Sequence, residues 1–175
     1  MVELEGIKDS LSYDPDTGVF HRLNTSGGRL KGSVAGCLGS QGYMQLRYKN
    51  ITYSSHRLAF WFMSNIWPKD CVDHINGVPD DNRWSNLREA TVGENLQNMR
   101  SRGGSSCYKG VRNKLKRWTS QIKSKEFGQK TLGSFLCEKE AALAYNYAAL
   151  EHFRSFARFN QVFEDVSEEA LSGEA

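Results

Sequence analysis

The chain of 175 residues has no long apolar run and no closely spaced pair of cysteines. Its longest uninterrupted apolar run, Leu58 to Met63, is far shorter than the roughly 18 residues that indicate a membrane-spanning helix. The N-terminal residues show no basic segment followed by an apolar stretch, so no secretory signal is predicted. The four cysteines lie 34, 36 and 30 residues apart, a spacing that argues against a zinc ribbon and predicts reduced thiols in the cytoplasm.

Charge is distributed unevenly along the chain. Residues 1–99 are nearly neutral, with 10 Lys and Arg against 11 Asp and Glu. Residues 100–160 carry 13 basic and 4 acidic residues, and residues 161–175 carry 5 acidic and no basic residues. A compact basic block predicts a module that binds a polyanion, although an ordinary solvated surface would have the same composition.

The change of charge coincides with a short polar segment. Residues 101–106 are small and polar and predict a linker. We therefore expect a first domain over residues 1–100, a second over residues 107–160, and an acidic tail over residues 161–175. With 39% hydrophobic and 25% charged residues, the composition is that of a folded protein, and the mixture of short strands and helices predicts the α+β class.

The first half of the first domain alternates short apolar segments with turns. A turn over residues 13–18 precedes one strand, and glycine-rich turns precede a strand at residues 43–48. Lys49 and Asn50 form the next turn before a return strand at residues 51–53. The pattern predicts a small β-meander, followed by a buried helix from His56 to Trp67 that Pro68 ends.

The polar residues that follow this helix form a possible catalytic group. A strand is predicted to end at Asp73 and His74, and a return strand begins at Asn86. Thr91, with Glu94 three residues later, predicts the start of a helix that carries Asn95.

Such a hairpin and helix would bring Asp73 and Asn95 close to His74. Their oxygen atoms suit Mg²⁺ or Mn²⁺ better than zinc, and a histidine can accept a proton from water near neutral pH. Taken alone, an Asp–His pair is more often a hydrogen-bonded structural pair, and asparagines at helix starts are usually caps.

The whole series of residues resembles the HNH endonucleases of the homing type that are common in bacteriophages. The resemblance covers about residues 10–100 and rests on Tyr13-Asp14-Pro15-Asp16-Thr17-Gly18, Gly42-Tyr43, His56-Arg57-Leu58, Val72-Asp73-His74-Ile75-Asn76-Gly77, Asp81-Asn82-Arg83, Asn86-Leu87-Arg88 and Glu94-Asn95. It implies a ββα-metal nuclease with His74 as general base, Asp73 and Asn95 as ligands of a single Mg²⁺ or Mn²⁺, and Asn86 as the residue that orients the loop. The third position of the motif is often histidine; Asn95 here matches the homing branch and favours a nicking activity.

Four further residues near this motif have two interpretations each. Arg57, Arg83 and Arg88 would contact DNA phosphates or form structural ion pairs. His56 would pack beside the nuclease site or support the start of the helix.

The basic segment alternates strongly. Strands are predicted at residues 108–112, 117–123 and 130–135, and an alanine-rich helix at residues 138–153. Alanines allow a helix to lie close to a sheet, so we expect a three-stranded antiparallel sheet with one face on the helix and one polar, basic face.

This segment resembles an AP2 DNA-binding domain over about residues 105–160. The residues that carry the resemblance are Tyr108-Lys109-Gly110-Val111-Arg112, Trp118-Thr119-Ser120-Gln121-Ile122, Leu132-Gly133-Ser134-Phe135, Glu140-Ala141-Ala142, Ala144-Tyr145-Asn146, Ala148-Ala149 and Ala157-Arg158-Phe159-Asn160. It implies a sheet that lies in the DNA major groove. The candidate DNA-binding residues are Lys109, Arg112, Lys114, Arg117, Gln121, Lys123, Gln129 and Thr131. Plant regulators of this family carry arginine at several positions where this chain has Lys109, Gln121, Gln129 and Thr131, so their binding sequence does not transfer.

Together these patterns predict a metal-dependent endonuclease that hydrolyses phosphodiester bonds in double-stranded DNA, targeted by the AP2-like domain. We expect no membrane association and no small-molecule cofactor, and a location in the cytoplasm, that of a bacterial host if a phage encodes the chain. The oligomeric state and the choice between nicking and double-strand cleavage stay open. The alternative is a non-enzymatic, sequence-specific DNA-binding regulator with an inactive HNH region. An RNA-processing nuclease fits less well, because a sheet cannot enter the deep, narrow groove of A-form RNA.

Overall fold

The computed structural model of the protein describes residue 4, residues 6–101 and residues 103–162. These residues belong to two compact units that divide between Asn98 and Met99. Most of the acidic tail predicted for residues 161–175, and one residue of the predicted linker, lie outside the described residues. The α+β class predicted from the sequence is confirmed by several small antiparallel sheets and four helices.

The first unit consists of a meander, a central helix, a hairpin and a second short helix. Its elements are α1 (Ile7–Ser10), β1 (Leu11–Tyr13), β2 (Phe20–Arg22), β3 (Val34–Ala35), β4 (Cys37–Leu38), β5 (Met44–Tyr48), β6 (Ile51–Ser54), α2 (Ser55–Ser64), β7 (Cys71–His74), a 3₁₀ turn (Trp84–Asn86), β8 (Leu87–Ala90) and α3 (Val92–Asn98). Strands β1–β2–β3 and β4–β5–β6 form two antiparallel sheets, and β7 pairs with β8. The predicted meander and hairpin are therefore confirmed.

The hydrophobic core of this unit joins the meander, α2 and the hairpin. Phe20 and Leu46 from the meander pack in one cluster with Leu58 from α2 and with Val72 and Leu87 from the hairpin. The buried face of α2 packs against both the meander and the hairpin, and this packing fixes the position of the end of β7.

Helix α2 ends earlier than the sequence predicted. Its C-cap is Asn65, in the left-handed conformation with φ of 59°, and the Asn65 backbone N–H donates to Trp61 O at 2.9 Å. Asparagine tolerates this conformation, so the helix stops before Pro68 is reached.

The turn at residues 13–18 supports the loop between β7 and β8. The Tyr13 hydroxyl donates to Asn82 O at 2.7 Å, and Trp84 N donates to Pro15 O at 2.9 Å. Gly18 has φ of +75°, and a Cβ at this position would lie 2.4 Å from the Asn82 carbonyl carbon. Only glycine allows the two backbones to approach this closely.

The second unit is a three-stranded antiparallel sheet with one helix on it. Its elements are β9 (Val111–Lys114), β10 (Arg117–Ser124), β11 (Gly128–Phe135), α4 (Glu138–Phe153) and a final 3₁₀ turn (Arg154–Phe156). The strand order is β9–β10–β11. Helix α4 has the bounds that the sequence predicted, and its alanines pack against Ile122 and Val111 as expected.

The first strand of this sheet starts later than predicted, at Val111. Gly110 has φ of +76°, and a Cβ there would lie 2.2 Å from Tyr145 Cδ2. A glycine in this conformation is typical of a turn, so Tyr108 precedes the strand instead of beginning it.

The two ends of this unit are tied together through Asn160. Its side chain accepts from Lys109 N at 2.6 Å and donates to Lys109 O at 3.0 Å. Its backbone exchanges two hydrogen bonds with the Asn146 amide of α4, at 2.7 and 2.9 Å. We call this group of three residues the Asn160 clasp.

Over the residues described, none of the helices has the length and apolar character needed to cross a membrane.

Candidate functional site

His74, the last residue of β7, has its imidazole held by a buried amide. His74 is 5% exposed, and its Nε2 lies 3.0 Å from Oδ1 of Asn82, which is 3% exposed. An amide oxygen can only accept a hydrogen bond, so Nε2 carries the proton in the neutral ring. Nδ1 is then the nitrogen with a free lone pair, which is the state that a general base requires.

Asn82 was not singled out by the sequence as a functional residue. It lies within the Asp81-Asn82-Arg83 segment, where an asparagine is most simply explained as a turn residue. Its position depends on Tyr13 and Gly18, which are more than sixty residues away in the sequence.

The Asp73 carboxylate is buried in an ion pair. Asp73 is 4% exposed, and its Oδ2 accepts from Arg88 Nε at 2.9 Å and Nη2 at 2.7 Å. Asn98 Nδ2 lies 3.0 and 3.1 Å from the two Asp73 oxygens and 2.7 Å from His74 O. One carboxylate therefore joins both strands of the hairpin to α3.

The structure places Asn98, and not Asn95, in hydrogen-bond contact with Asp73. Asn98 is 4% exposed, whereas Asn95 is half-buried one turn earlier on α3. Within the described part of the chain, the Asn95 side chain makes no hydrogen bond, although its backbone N–H donates to Thr91 O at 3.0 Å. Residues three positions apart lie on the same face of a helix, so Asn95 and Asn98 both lie on one face of α3.

Asn86 connects the two ends of the β7–β8 loop. Its Nδ2 donates to Asp81 O at 2.7 Å and to Asn76 Oδ1 at 3.1 Å, and its Oδ1 accepts from Asn76 N at 2.9 Å. Asn86 is 7% exposed, so these hydrogen bonds lie on the buried side of the loop. These contacts are of the kind that a loop-orienting residue makes.

The capping residues that open α3 are those predicted from the sequence. Thr91 N donates to Glu94 Oε2 at 2.8 Å, and Glu94 N donates to Thr91 Oγ1 at 3.3 Å. This reciprocal pair fixes the start of the helix that carries Asn95 and Asn98.

His56 packs directly beside His74. The two rings lie 5.0 Å apart in an edge-to-face arrangement, and Tyr43 lies 5.3 Å from His56 and 5.9 Å from His74. His56 is 9% exposed, and its Nδ1 has no hydrogen-bond partner among the described residues. Burial, with smaller contributions from His74 and Arg57, lowers the pKa of His56 to about 3.

The low pKa of His56 predicts a loss of stability in mild acid. Below about pH 6.5, His56 is protonated in the unfolded chain but stays neutral in the folded chain. The free energy of unfolding therefore decreases as the pH falls from about 6.5 towards about 3. Between pH 7 and pH 5 this single group lowers the free energy of unfolding by about 2 kcal/mol. Urea unfolding at both values should show that His56→Phe removes about this much of the pH dependence.

Tyr43→Phe is the matched control, because it changes the same cluster and removes no histidine. An equal pH dependence in His56→Phe and in the unchanged protein would contradict the assignment of the acid sensitivity to this residue.

The three arginines considered as phosphate contacts all have partners within the first unit. Arg57 donates to the backbone oxygens of Asp70 and, at 2.9 Å, of Pro68, which fixes the segment between α2 and β7. Arg88 pairs with buried Asp73. The Arg83–Asp81 pair, with a contact of 2.6 Å, is at the surface, where the Arg83 side chain is 52% exposed. Its hydrogen bonds lower the pKa of Asp81 to about 2.

In the second unit, most candidate DNA-binding residues share one face of the sheet. Lys114 pairs with Arg117, and Gln121 with Thr131; residues that pair directly across antiparallel strands point to the same side. The residues of this face, which we call the polar face, are Arg112, Lys114, Arg117, Gln121, Lys123, Gln129 and Thr131. The opposite face carries Val111, Ser120 and Ile122 and packs on α4.

Hydrogen bonds organise the side chains of the polar face. Gln121 Oε1 accepts from Gln129 Nε2 at 3.1 Å, and Gln121 Nε2 donates to Thr131 Oγ1 at 3.4 Å. Arg117 donates to the Ser134 side chain at 3.2 Å and to Ser134 O at 3.0 Å. The three strands contain no aspartate or glutamate, so the charged side chains of the polar face are all basic.

Lys109 lies elsewhere. It precedes the sheet, and its Nζ donates to Met99 O at 2.7 Å. Burial, with a contribution from Arg158, lowers the pKa of Lys109 to about 8. The structure thus gives Lys109 a role within the unit and does not place it with the polar face.

Comparison with known proteins identifies one segment. Residues 53–97 match the family model described as HNH endonuclease. The matched segment begins at the end of the meander and includes α2, the β7–β8 hairpin and most of α3. No curated protein matches the chain. The match implies nuclease activity on DNA for this part of the chain.

HNH nucleases generally use a divalent metal ion, and carboxylate and amide oxygens are ligand types that suit one. The described residues contain no cluster of three His, Cys, Asp or Glu, so a closed zinc-type site is not present among them. Mg²⁺ and Mn²⁺ are typically held by one or two carboxylates together with substrate phosphate and water. Among the described residues, oxygen atoms of this kind are present in the Asp73 carboxylate, which pairs with Arg88, and in the Asn95 amide, whose side chain makes no hydrogen bond within the described part of the chain.

Proposed function

We propose that this protein is a metal-dependent endonuclease of the homing type that hydrolyses phosphodiester bonds in double-stranded DNA. One observation carries the proposal. The imidazole of His74 is fixed by the buried Asn82 amide with Nδ1 left as the basic nitrogen, next to a buried carboxylate, and within the segment that matches the HNH endonuclease family. This arrangement has the parts that phosphodiester hydrolysis needs.

In the proposed reaction, His74 Nδ1 accepts a proton from a water molecule. The water oxygen forms a bond with the phosphorus while the bond from phosphorus to the departing 3′ oxygen breaks. The 3′ oxygen takes a proton from solvent water and becomes a hydroxyl, and the proton on His74 Nδ1 returns to solvent. Asn82 keeps the His74 ring in one orientation, and Asn86 keeps the loop that carries Asn82 in place. Asp73 and Asn95 would hold the Mg²⁺ or Mn²⁺ ion, which when bound neutralises the phosphate and the departing oxygen.

A plasmid assay tests this proposal directly. The full chain, incubated with supercoiled plasmid and Mg²⁺ or Mn²⁺, should convert the plasmid to nicked or linear DNA, and EDTA should stop the conversion. Full activity in EDTA would exclude the metal-dependent mechanism. The position of the cut ends, mapped by sequencing, separates nicking from double-strand cleavage.

We further propose that the second unit is an AP2-like domain that selects the DNA site through its polar face. A β-sheet face enters the major groove of B-form DNA, where arginine and lysine contact guanine edges and glutamine contacts adenine. The register supports this role because it gathers seven of the eight candidate residues on one side. Two weak DNA contacts joined in one chain raise the overall affinity through effective concentration.

Single substitutions on the polar face separate base contacts from phosphate contacts. Arg112→Ala or Lys123→Ala should weaken duplex binding by about 1–3 kcal/mol and relax the sequence preference at one position if the side chain contacts a base. A phosphate contact would instead weaken binding to all sequences alike and flatten the salt dependence. Fluorescence anisotropy with the full chain across salt concentrations measures both.

Lys31→Ala, an exposed lysine in the first unit, is the charge-matched control. Affinity and salt dependence that stay equal in Arg112→Ala, Lys123→Ala and Lys31→Ala would contradict the assignment of the polar face.

A second candidate function is a DNA-binding regulator without nuclease activity. The Arg88–Asp73 ion pair favours it, because a guanidinium already balances the carboxylate that would hold the metal. Sequence-specific binding without plasmid cleavage in any divalent metal would support this candidate over the endonuclease.

A further inference from the structure

The centre of the polar face is occupied by an amide and not by a basic side chain. Gln121 lies on β10, the middle strand of the sheet, and its neighbours on this side of the strand are Thr119 and Lys123. Across the strands, Arg112 is paired with Thr119, and Gln129 is paired with Lys123. Basic side chains therefore lie on both sides of Gln121, where they can bind DNA phosphates while the amide faces the edge of a base.

A β-bulge determines which residue of β11 lies opposite Gln121. Ser120 pairs with Gly133, so a regular ladder would place Leu132 opposite Gln121. The register instead shifts by one residue, and Thr131 is paired with Gln121. Leu132 packs against the hydrophobic cluster between the sheet and α4. The bulge thus gives Gln121 a hydroxyl group as its neighbour in place of an apolar side chain.

Two hydrogen bonds hold both ends of the Gln121 amide. Its Oε1 accepts from Gln129 Nε2 at 3.1 Å, and its Nε2 donates to Thr131 Oγ1 at 3.4 Å. Because an amide nitrogen can only donate, the end of Gln121 that faces Gln129 Nε2 must be its oxygen. Both partners lie on β11, two positions apart, so the amide of Gln121 is fixed along that strand.

The fixed amide keeps one donor and one acceptor for a ligand. A glutamine side chain has two N–H donors and two oxygen lone pairs, and the contacts to Thr131 and Gln129 use one of each. In the major groove, adenine presents one acceptor, N7, beside one donor, the N6 amino group. Guanine presents two acceptors, and cytosine and thymine present a single polar group each. Adenine is therefore the base that pairs with both free groups of Gln121.

We propose that Gln121 recognises an adenine in the major groove, and that Gln129 and Thr131 hold its amide in the orientation that this base requires. The inference rests on the proposed DNA-binding role of the polar face. In the complex, Gln121 Nε2 donates to adenine N7, and Gln121 Oε1 accepts from the N6 amino group. Gln121 is thus the residue that determines specificity at this position, and Gln129 is a positioning residue that acts through it.

Selection of binding sites from a randomised duplex library tests the proposal. The full chain, kept in EDTA so that metal-dependent cleavage does not consume the library, should enrich a site with a required adenine. Q121R should enrich guanine at that position, because arginine offers two donors to guanine N7 and O6. In fluorescence anisotropy, replacing the adenine by guanine should weaken binding of the unchanged protein roughly 5- to 150-fold, and Q121R should reverse this preference.

A modified base tests the contact without any change to the protein. 7-Deazaadenine lacks the N7 acceptor and keeps the N6 amino group. At the required position it should weaken binding of the unchanged protein about fivefold and leave binding of Q121A unchanged, because the N7 partner is already missing there.

The role of Gln129 is tested through its neighbour. Q129L keeps a side chain of similar size but removes the donor that holds Gln121 Oε1. This variant should reduce the preference for adenine over guanine several-fold, while circular dichroism shows that the exposed substitution leaves the fold intact. An unreduced preference in Q129L would remove Gln129 from the recognition of adenine.

Q41R is the matched control, because it makes the same substitution at an exposed glutamine between β4 and β5. It should enrich the same site as the unchanged protein. A site that is selected equally by the unchanged protein, Q121A and Q121R would overturn the adenine assignment and leave the role of the polar face intact. An equal effect of 7-deazaadenine on the unchanged protein and on Q121A would place the N7 contact on another residue. Absence of selective binding to any duplex would contradict the role of the polar face itself, and this inference with it.

Discussion

His74→Ala is expected to lower the rate of plasmid cleavage by roughly 10²–10⁴-fold, the usual effect of losing a general base. Duplex binding should stay within a few-fold of that of the unchanged protein, because the polar face of the second unit is untouched. The measurement is a time course of plasmid nicking under single-turnover conditions, with binding followed separately by anisotropy.

His21→Ala is the matched control, since it removes a histidine from the meander strand β2. The variant Asn82→Ala adds a second readout. If Asn82 holds the His74 tautomer, its loss should lower the cleavage rate with little change in affinity, and should shift the pH dependence of cleavage. Cleavage by His74→Ala at the rate of the unchanged protein would remove His74 from the mechanism.

Asp73→Ala is expected to have the largest effect on stability. The substitution leaves the Arg88 guanidinium, whose side chain is 17% exposed, and the Asn98 amide without their shared partner. Breaking one side of a buried pair costs about 3 kcal/mol or more. Urea unfolding should show this loss, and the double variant Asp73→Ala/Arg88→Met should recover part of it because an apolar side chain then replaces the guanidinium that lost its carboxylate.

The surface pair gives the matched comparison. Arg83→Ala breaks an ion pair whose arginine is 52% exposed and screened by solvent, so its expected loss of stability is much smaller than that of Asp73→Ala. Losses of equal size in Asp73→Ala and Arg83→Ala would contradict the structural role of the buried pair.

Substitutions of Asn95 and Asn98, both on α3, test two different roles. One is the proposed binding of the metal ion, and the other is stabilisation of the fold. Asn95→Ala should raise the Mg²⁺ concentration needed for half-maximal cleavage and leave the free energy of unfolding nearly unchanged, because its side chain makes no hydrogen bond among the described residues. Asn98→Ala should lower the free energy of unfolding by about 1–3 kcal/mol, since it removes buried hydrogen bonds to the Asp73 carboxylate and to His74 O. The reverse result would move the ligand from Asn95 to Asn98.

The sequence predicted the helices and turns whose first and last residues are determined by neighbouring residues. Alanine spacing placed α4, and the Thr91–Glu94 pair placed the start of α3. Lys49 and Asn50, both with positive φ, form the predicted turn between β5 and β6. Each of these patterns involves residues that are close in the sequence, so the sequence alone is enough to predict the element.

Contacts between distant residues could not be predicted in the same way. Asn82 supports His74 only because the Tyr13–Gly18 turn packs against its backbone. The partner of Asp73 on α3 depends on the rotation of that helix against the hairpin, and a difference of three residues along one helix face has no signature in the sequence. The hydrogen bond from the Lys109 ammonium to Met99 O is a further contact that the sequence does not show.

The Asn160 clasp has a consequence for how the second unit can be recombined. Lys109 precedes the sheet and Asn160 follows α4 and its 3₁₀ turn. The two residues are 51 positions apart in the sequence yet joined by two hydrogen bonds. A unit whose entry and exit lie side by side can be placed inside a surface loop of another protein without stretching either connection. It should also accept circular permutation, with new ends opened at the β10–β11 turn near Glu126 and the old ends joined by a short glycine-rich peptide. Because the clasp holds both ends of this sheet and helix together, the unit should be transferable to a host protein at a single insertion point.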